Sequence, residues 1–116
     1  MKNNKKIFLI CTIRTATKKD KKKLSEYVSK LENNGNIVYY PARDTPQNQR
    51  GVDICKDNLN AIKNSDEVHI WYNERSKGTH FDMGMAFALN KKIKIVNKYN
   101  YDLNKKSYKR IPEKVL

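Results

Sequence analysis

Nine residues, Ser76 to Gly84, carry the densest chemistry in the sequence: S-K-G-T-H-F-D-M-G. A hydroxyl, a glycine and the start of a helix come together there behind an apolar run, and N–H groups exposed at a helix start bind phosphate or carboxylate. Asp82 puts a carboxylate on the same helix. Thr12 and Arg14 follow the first apolar run of the chain, and a guanidinium fork binds two oxygens of an anion at once. The loop from Ser76 to Gly84 is therefore a candidate anion site, and Thr12 and Arg14 bring a hydroxyl and a cation to the end of the first run. Asn58 lies three residues after Cys55 and four before Ile62, so it faces inward on its helix. Its amide can hydrogen-bond a ligand but cannot act as a general acid, and Asp57 next to it is turned about 100° away around the helix. His80 could supply a proton near neutrality, although a lone histidine is more often structural. Local packing offers a plainer account of the same stretch: Thr79 and Asp82 have the spacing of a capping box, and Phe81, Met85, Ala88 and Leu89 would form a core face.

The elements that must position these groups can be read from periodicity. Ile7 to Ile13 is a continuous apolar run, expected of a strand buried on both faces of a parallel sheet. Thr17 with Asp20 fits a helix cap, and Leu24, Tyr27, Val28 and Leu31 recur at helical spacing until Asn33-Asn34-Gly35. A second strand is expected from Asn36 to Tyr40, and a polar loop from Ala42 to Gly51 that holds Arg43, Asp44 and Arg50. A helix from Val52 or Asp53 to Asn64, a strand from Val68 to Tyr72, a helix from about His80 to Asn90 and a strand from Ile93 to Val96 complete the pattern. His69, inside the third strand, is expected in the core or away from any ligand, and Trp71 in aromatic packing. Strands alternating with helices imply right-handed crossovers, so the expected fold is α/β: a flavodoxin- or Rossmann-like three-layer sandwich with a parallel sheet of four to five strands. In such sheets ligands bind at the carboxyl ends of the strands, where the strand order reverses. That edge carries Thr12, Arg14, Arg43, Asp44, the segment Tyr72 to Gly78, and Asn97.

Composition sets the limits. The chain has 116 residues, read as one domain over 1–116, with 98–116 a basic tail that could be a last helix or an edge strand. Hydrophobic residues make up 38% and charged residues 32%, and the formal net charge of +13 favours acidic partners, either nucleic acid or phosphorylated small molecules. Only five of the 25 Lys+Arg are arginine, and groove recognition favours clustered Arg, so nucleic acid is the less favoured partner. Cys11 and Cys55 have no C-x-x-C spacing and no histidine at metal-ligand spacing, which points to reduced, buried thiols, no metal and no cofactor. Nothing approaches the roughly 18 apolar residues of a spanning helix, and a soluble, cytoplasmic protein is expected, with no membrane partner.

Three segments together resemble the nucleoside 2-deoxyribosyltransferase family, including the related 2′-deoxynucleoside 5′-phosphate N-hydrolases. They are T-I-R at Thr12 to Arg14, the helix ending in Ser65-Asp66 before the third strand, and S-K-G-T-H-F-D-M-G-M-A from Ser76 to Ala86. The last is the specific one, similar to the family pattern S-x-G-x-x-[FY]-E-x-G-x-A. The resemblance implies cleavage or transfer at the N-glycosidic bond of a nucleoside or its 5′-monophosphate, with Asp82 in the nucleophile's place. It also implies that Thr12, Arg14, Ser76, Gly78 and Thr79 hold a 5′-phosphate or sugar hydroxyls, and that the chain forms a homo-oligomer. Two residues depart from the pattern. Asp82 replaces a glutamate, shortening the reach by roughly 1.5 Å, and Asn58 stands where relatives carry an aspartate that positions or protonates the substrate. These departures fit an alternative, a catalytically weakened nucleotide-binding sensor or regulatory module. A third reading is a basic nucleic-acid-binding protein, which predicts a steep loss of affinity with salt.

Overall fold

The structure, a computed structural model, describes residues 4–97. The basic tail 98–116, where the sequence allows a last helix or an edge strand, lies outside the described residues. Four parallel strands, β1 (Lys6–Ile10), β2 (Ile37–Tyr39), β3 (Glu67–Ile70) and β4 (Lys92–Ile95), form one sheet in the order β2-β1-β3-β4. Central β1 buries Ile7, Phe8, Leu9 and Ile10 almost completely, as its unbroken apolar run requires. β1, β3 and β4 begin one residue and end one to three residues earlier than periodicity suggests, and β2 is shorter by one residue at each end; Cys11, Thr12 and Ile13, and likewise Trp71 and Tyr72, lie beyond their strands.

Helices cover both faces, which makes the three-layer α/β sandwich expected from the sequence. α1 (Lys18–Asn33) starts at a reciprocal cap in which Thr17 Oγ1 accepts from the Asp20 N–H at 3.1 Å and Asp20 Oδ2 accepts from the Thr17 N–H at 3.0 Å. It ends before Gly35, whose φ of 90° suits glycine. Leu24 and Val28 from α1 pack on Leu9, Cys11, Val38 and Tyr40. On the opposite face Ile62 of α3 (Gly51–Lys63) and Met83 and Ala86 of α4 (Lys77–Ala88) pack on Phe8, Ile10, Val68, Ile70 and Ile93.

Three local expectations are corrected. The stretch after β2 is not wholly loop: Pro41, suited to the first position of a helix, opens α2 (Pro41–Asp44), and the Tyr40 N–H donates to Asp44 Oδ2 at 2.8 Å. α4 begins at Lys77 rather than near His80, because Ser76 and not Thr79 is its cap: Ser76 Oγ accepts from the Thr79 N–H at 3.1 Å. The inward face of α4 is therefore Thr79, Asp82, Met83 and Ala86, while Phe81 is 56% exposed and Ala88 is exposed too. Both cysteines are free thiols, but only Cys11 is buried, with Cys55 half-buried.

His69 is a buried core residue on the α1 side of the sheet. Its Nδ1 accepts from Tyr27 Oη–H at 2.6 Å and its Nε2 donates to Glu67 Oε1 at 2.7 Å. Burial, which outweighs the neighbouring carboxylate, lowers the imidazole from its ordinary value, so the ring is neutral at pH 7 and this tautomer satisfies both nitrogens. No helix among the described residues is long and apolar enough to cross a membrane.

Candidate functional site

The chain leaves β1 toward β2 on one side and returns to β3 on the other, so the strand order reverses between the carboxyl ends of β1 and β3. Parallel sheets bind ligands at such a point, and segments singled out in the sequence follow both strands there. From β1 come Thr12, buried, with its hydroxyl bonded to that of Thr15, and Arg14, exposed. After β3, the turn Asn73 to Arg75 leads into α4, with Ser76 buried at the cap and Gly78 exposed in the first turn. A Cβ built on Gly78 would meet nothing within 4 Å, so the space over that turn is open to a ligand rather than filled by the protein.

Asp82 lies one turn further along α4, 8% exposed. Burial pushes its carboxyl up from an ordinary 3.8 to about 7, against the opposing pull of the Asn58 amide. Asn58, on α3, is itself buried, as its spacing predicts, and is the neighbour whose amide offsets part of the effect of burial on the carboxyl. Cys11, at the end of β1, is the third member of the group: burial first, and the Asp82 charge second, raise its thiol to about 12. The thiol is thus neutral and adds no charge. Asp82, Asn58 and the end of β1 are brought together; Asp57 is not, since its carboxylate accepts from Gln49 Nε2 at 2.7 Å instead.

Other candidates are absorbed by structure. Arg43 is tied to Asp44 at 2.8 Å, to Glu32 of α1 at 3.3 Å and to the Val38 carbonyl at 2.9 Å, which anchors α2. Asn97 clamps the end of β3, accepting from the Tyr72 N–H at 2.6 Å and donating to its carbonyl at 2.8 Å. His80 Nδ1 donates to the Ser76 carbonyl at 2.8 Å, and its Nε2 is hydrogen-bonded with Tyr72 Oη at 2.9 Å, so the ring reinforces the turn that carries Ser76. Thr79 is fully buried, and its Oγ1 is the one buried side-chain polar atom among the described residues with no hydrogen-bond partner. Sequence reasoning missed Thr45: it is buried within the presumed loop, and its hydroxyl donates to Asn58 Oδ1 at 2.9 Å. Only the turn signal of Pro41 pointed to order there.

A buried carboxylate on a helix near the end of β1, one turn beyond the capped start of that helix at the strand-order reversal, is the candidate site of this α/β protein. A family model described as nucleoside 2-deoxyribosyltransferase matches residues 7–110, and the chain belongs to that family. Among solved structures it is similar to a CMP N-glycosidase of Clostridium botulinum, with 25% identity and a TM-score of 0.63, covering 78% of this chain and 70% of that one. It shares its fold with a 2-desoxiribosyltransferase from Leishmania mexicana, with 20% identity and a TM-score of 0.62, covering 78% of this chain and 63% of that one. No curated protein sequence matches the chain.

Proposed function

We propose that this protein cleaves or transfers at the N-glycosidic bond of a nucleoside or a nucleoside 5′-monophosphate, with Asp82 as the nucleophile. The carrying observation is the Asp82 carboxylate, buried at the strand-order reversal yet held by the Asn58 amide and raised to about 7. A carboxyl group moved that far by its surroundings, in a cleft, is characteristic of a working group. One carboxylate oxygen would bond to C1′ as the bond from C1′ to the base nitrogen breaks and its electron pair leaves with the base. Water or an incoming base would then displace the carboxylate, and the anion stabilises the oxocarbenium-like charge in both steps. Asn58 orients the carboxylate and the sugar, and the turn from Ser76 to Gly78, with Thr12 and Arg14, takes the 5′-phosphate or the sugar hydroxyls, while Thr79 is fully buried and supports the turn from within.

The likeness to a CMP N-glycosidase supports a nucleotide among the substrates. Because α4 is apolar outside as well as inside, with Phe81 and Phe87 exposed on either side of Gly84, we also propose that copies of the chain associate through this helix. The deciding experiment is incubation with a panel of nucleosides and their 5′-monophosphates, with and without an acceptor base, read by chromatography. Release or exchange of base that disappears in Asp82→Asn is the expected result. Saturable nucleotide binding without turnover would overturn the enzyme reading and leave a nucleotide sensor.

A further inference from the structure

One buried group has no place in the reaction above: the hydroxyl of Thr45. It lies just after α2, 3% exposed, in a turn fixed from several sides. The Thr45 N–H donates to the Pro41 carbonyl at 3.0 Å, and Gln47 Nε2 donates to the Thr45 carbonyl at 2.9 Å. Within that frame Thr45 Oγ1–H donates to Asn58 Oδ1 at 2.9 Å, which leaves Tyr39 Oη–H to donate to Thr45 Oγ1 at 2.7 Å, with the Asp44 carbonyl a longer second acceptor at 3.5 Å. An amide has two ends, and only its NH2 end can donate. With Oδ1 engaged by Thr45, Nδ2 is the end of the amide left for Asp82, in keeping with the lowering effect of Asn58 on that carboxyl. Every proton in the series Tyr39, Thr45, Asn58 thus points the same way, toward the carboxylate, and hydrogen bonds aligned in this manner strengthen one another.

We propose that Thr45, backed by Tyr39, is a positioning residue for Asp82: it locks the Asn58 amide with its N–H on the carboxylate, so that Asp82 meets the sugar as an aimed and hydrogen-bonded anion. The proposal rests on the reading of Asp82 as the nucleophile, and it gives Asn58 a definite task, holding the nucleophile rather than protonating the leaving base. The groups facing Asp82 are few. Cys11 from β1 is a neutral thiol, Asn58 from α3 is uncharged, and among the described residues no cation acts on the carboxyl. Its ionisation is therefore governed by burial against this one line of neutral donors. Without the Thr45 hydroxyl the amide is free to turn its oxygen toward Asp82, an arrangement that suits the protonated carboxyl and opposes the charged one.

The test compares Thr45→Val, which keeps the shape and removes the hydroxyl, with Thr45→Ser, which keeps the hydroxyl. Two readouts are used: the acid limb of kcat/KM for base release, and the titration of the Asp82 carboxyl carbon by 13C NMR, which needs no turnover. Loss of one net hydrogen bond predicts that both midpoints rise by about half a pH unit to one unit in Thr45→Val. They stay at the wild-type value in Thr45→Ser, and Tyr39→Phe gives a smaller rise. A merely structural role for Thr45 would lower activity and leave the midpoint alone. An unmoved NMR midpoint in Thr45→Val, or an equal rise in Thr45→Ser, overturns the proposal. Absence of base release from the wild-type protein would instead sink the enzymatic reading, while the NMR titration would still decide whether Thr45 governs Asp82.

Discussion

Replacing Asp82 by asparagine should make the protein more stable, and only above a certain pH. The carboxyl is 8% exposed and sits at about 7 instead of its ordinary 3.8. Between those two values the folded protein holds a proton that the unfolded chain has released, so stability falls as pH rises from about 4 to about 7 and is level beyond. At about 1.36 kcal/mol per pH unit, the cost of keeping Asp82 ionised in the fold approaches about 4 kcal/mol above pH 7, and local relaxation brings the expected figure to about 2–4 kcal/mol. Asparagine has the same size, is neutral at every pH and can still bond to Asn58. Urea unfolding of both proteins between pH 4 and pH 8 measures the difference directly. The two stabilities should coincide near pH 4 and separate to about 2–4 kcal/mol at pH 8 in favour of Asp82→Asn. Titration of Glu67, Asp44 and His69 is common to both proteins and cancels in the comparison. A gap that is constant with pH, or a less stable Asp82→Asn at pH 8, would refute the claim that burial governs this carboxyl.

Three further outcomes are expected. Arg14→Gln should raise KM for a nucleoside 5′-monophosphate by about ten-fold or more while leaving the corresponding nucleoside unchanged, because only the phosphate uses the guanidinium fork; equal effects on both substrates would remove Arg14 from the phosphate site. Asn58→Asp should push the acid limb of kcat/KM well above 7, since two facing carboxylates in one buried pocket hold a shared proton more tightly than one alone; steady-state rates across pH 5 to 9 would show it. Thr79→Val should stabilise the fold by about 1–2 kcal/mol in urea unfolding, because it removes a buried hydroxyl with no partner among the described residues; a loss of stability would mean that the hydroxyl is satisfied.

The sequence reveals the sheet more readily than the site. Ile7 to Ile10, Val68 to Ile70 and the helical spacing of Leu24 and Val28 announce buried surfaces directly, because burial acts on side-chain type residue by residue. The alternation of strand and helix then leaves few permitted topologies. The inward position of Asn58 follows from the same 3.6-residue period. The failures are local and share a cause. At α4, two hydroxyls three residues apart, Ser76 and Thr79, could each cap a helix; Ser76 does so, which rotates the inward face onto Asp82 and Met83 and leaves Phe81 outside. At Thr45 no periodicity exists to be read, since its burial comes from partners 6 and 13 residues away, Tyr39 and Asn58. Polar residues that order a short segment through specific hydrogen bonds leave no hydropathy signal.

The composition of this pocket has a chemical logic of its own. A carboxylate that is to attack carbon must be ionised but poorly stabilised, because whatever holds its charge must be given up as the bond forms. An arginine or lysine beside Asp82 would keep it ionised at every working pH and hold that charge tightly. A second carboxylate at position 58 would do the reverse, binding a proton between the two. Asn58 does neither: it donates one neutral hydrogen bond, aimed by Thr45, into a pocket whose burial leaves the carboxyl near 7. Near neutrality such a group is divided between its two forms, and its ionised form is the strongest base that remains available at that pH. On the proposed reading of Asp82 as the nucleophile, a side chain one methylene shorter than glutamate gains most from such an arrangement, since its reach depends on where α3 and α4 hold it.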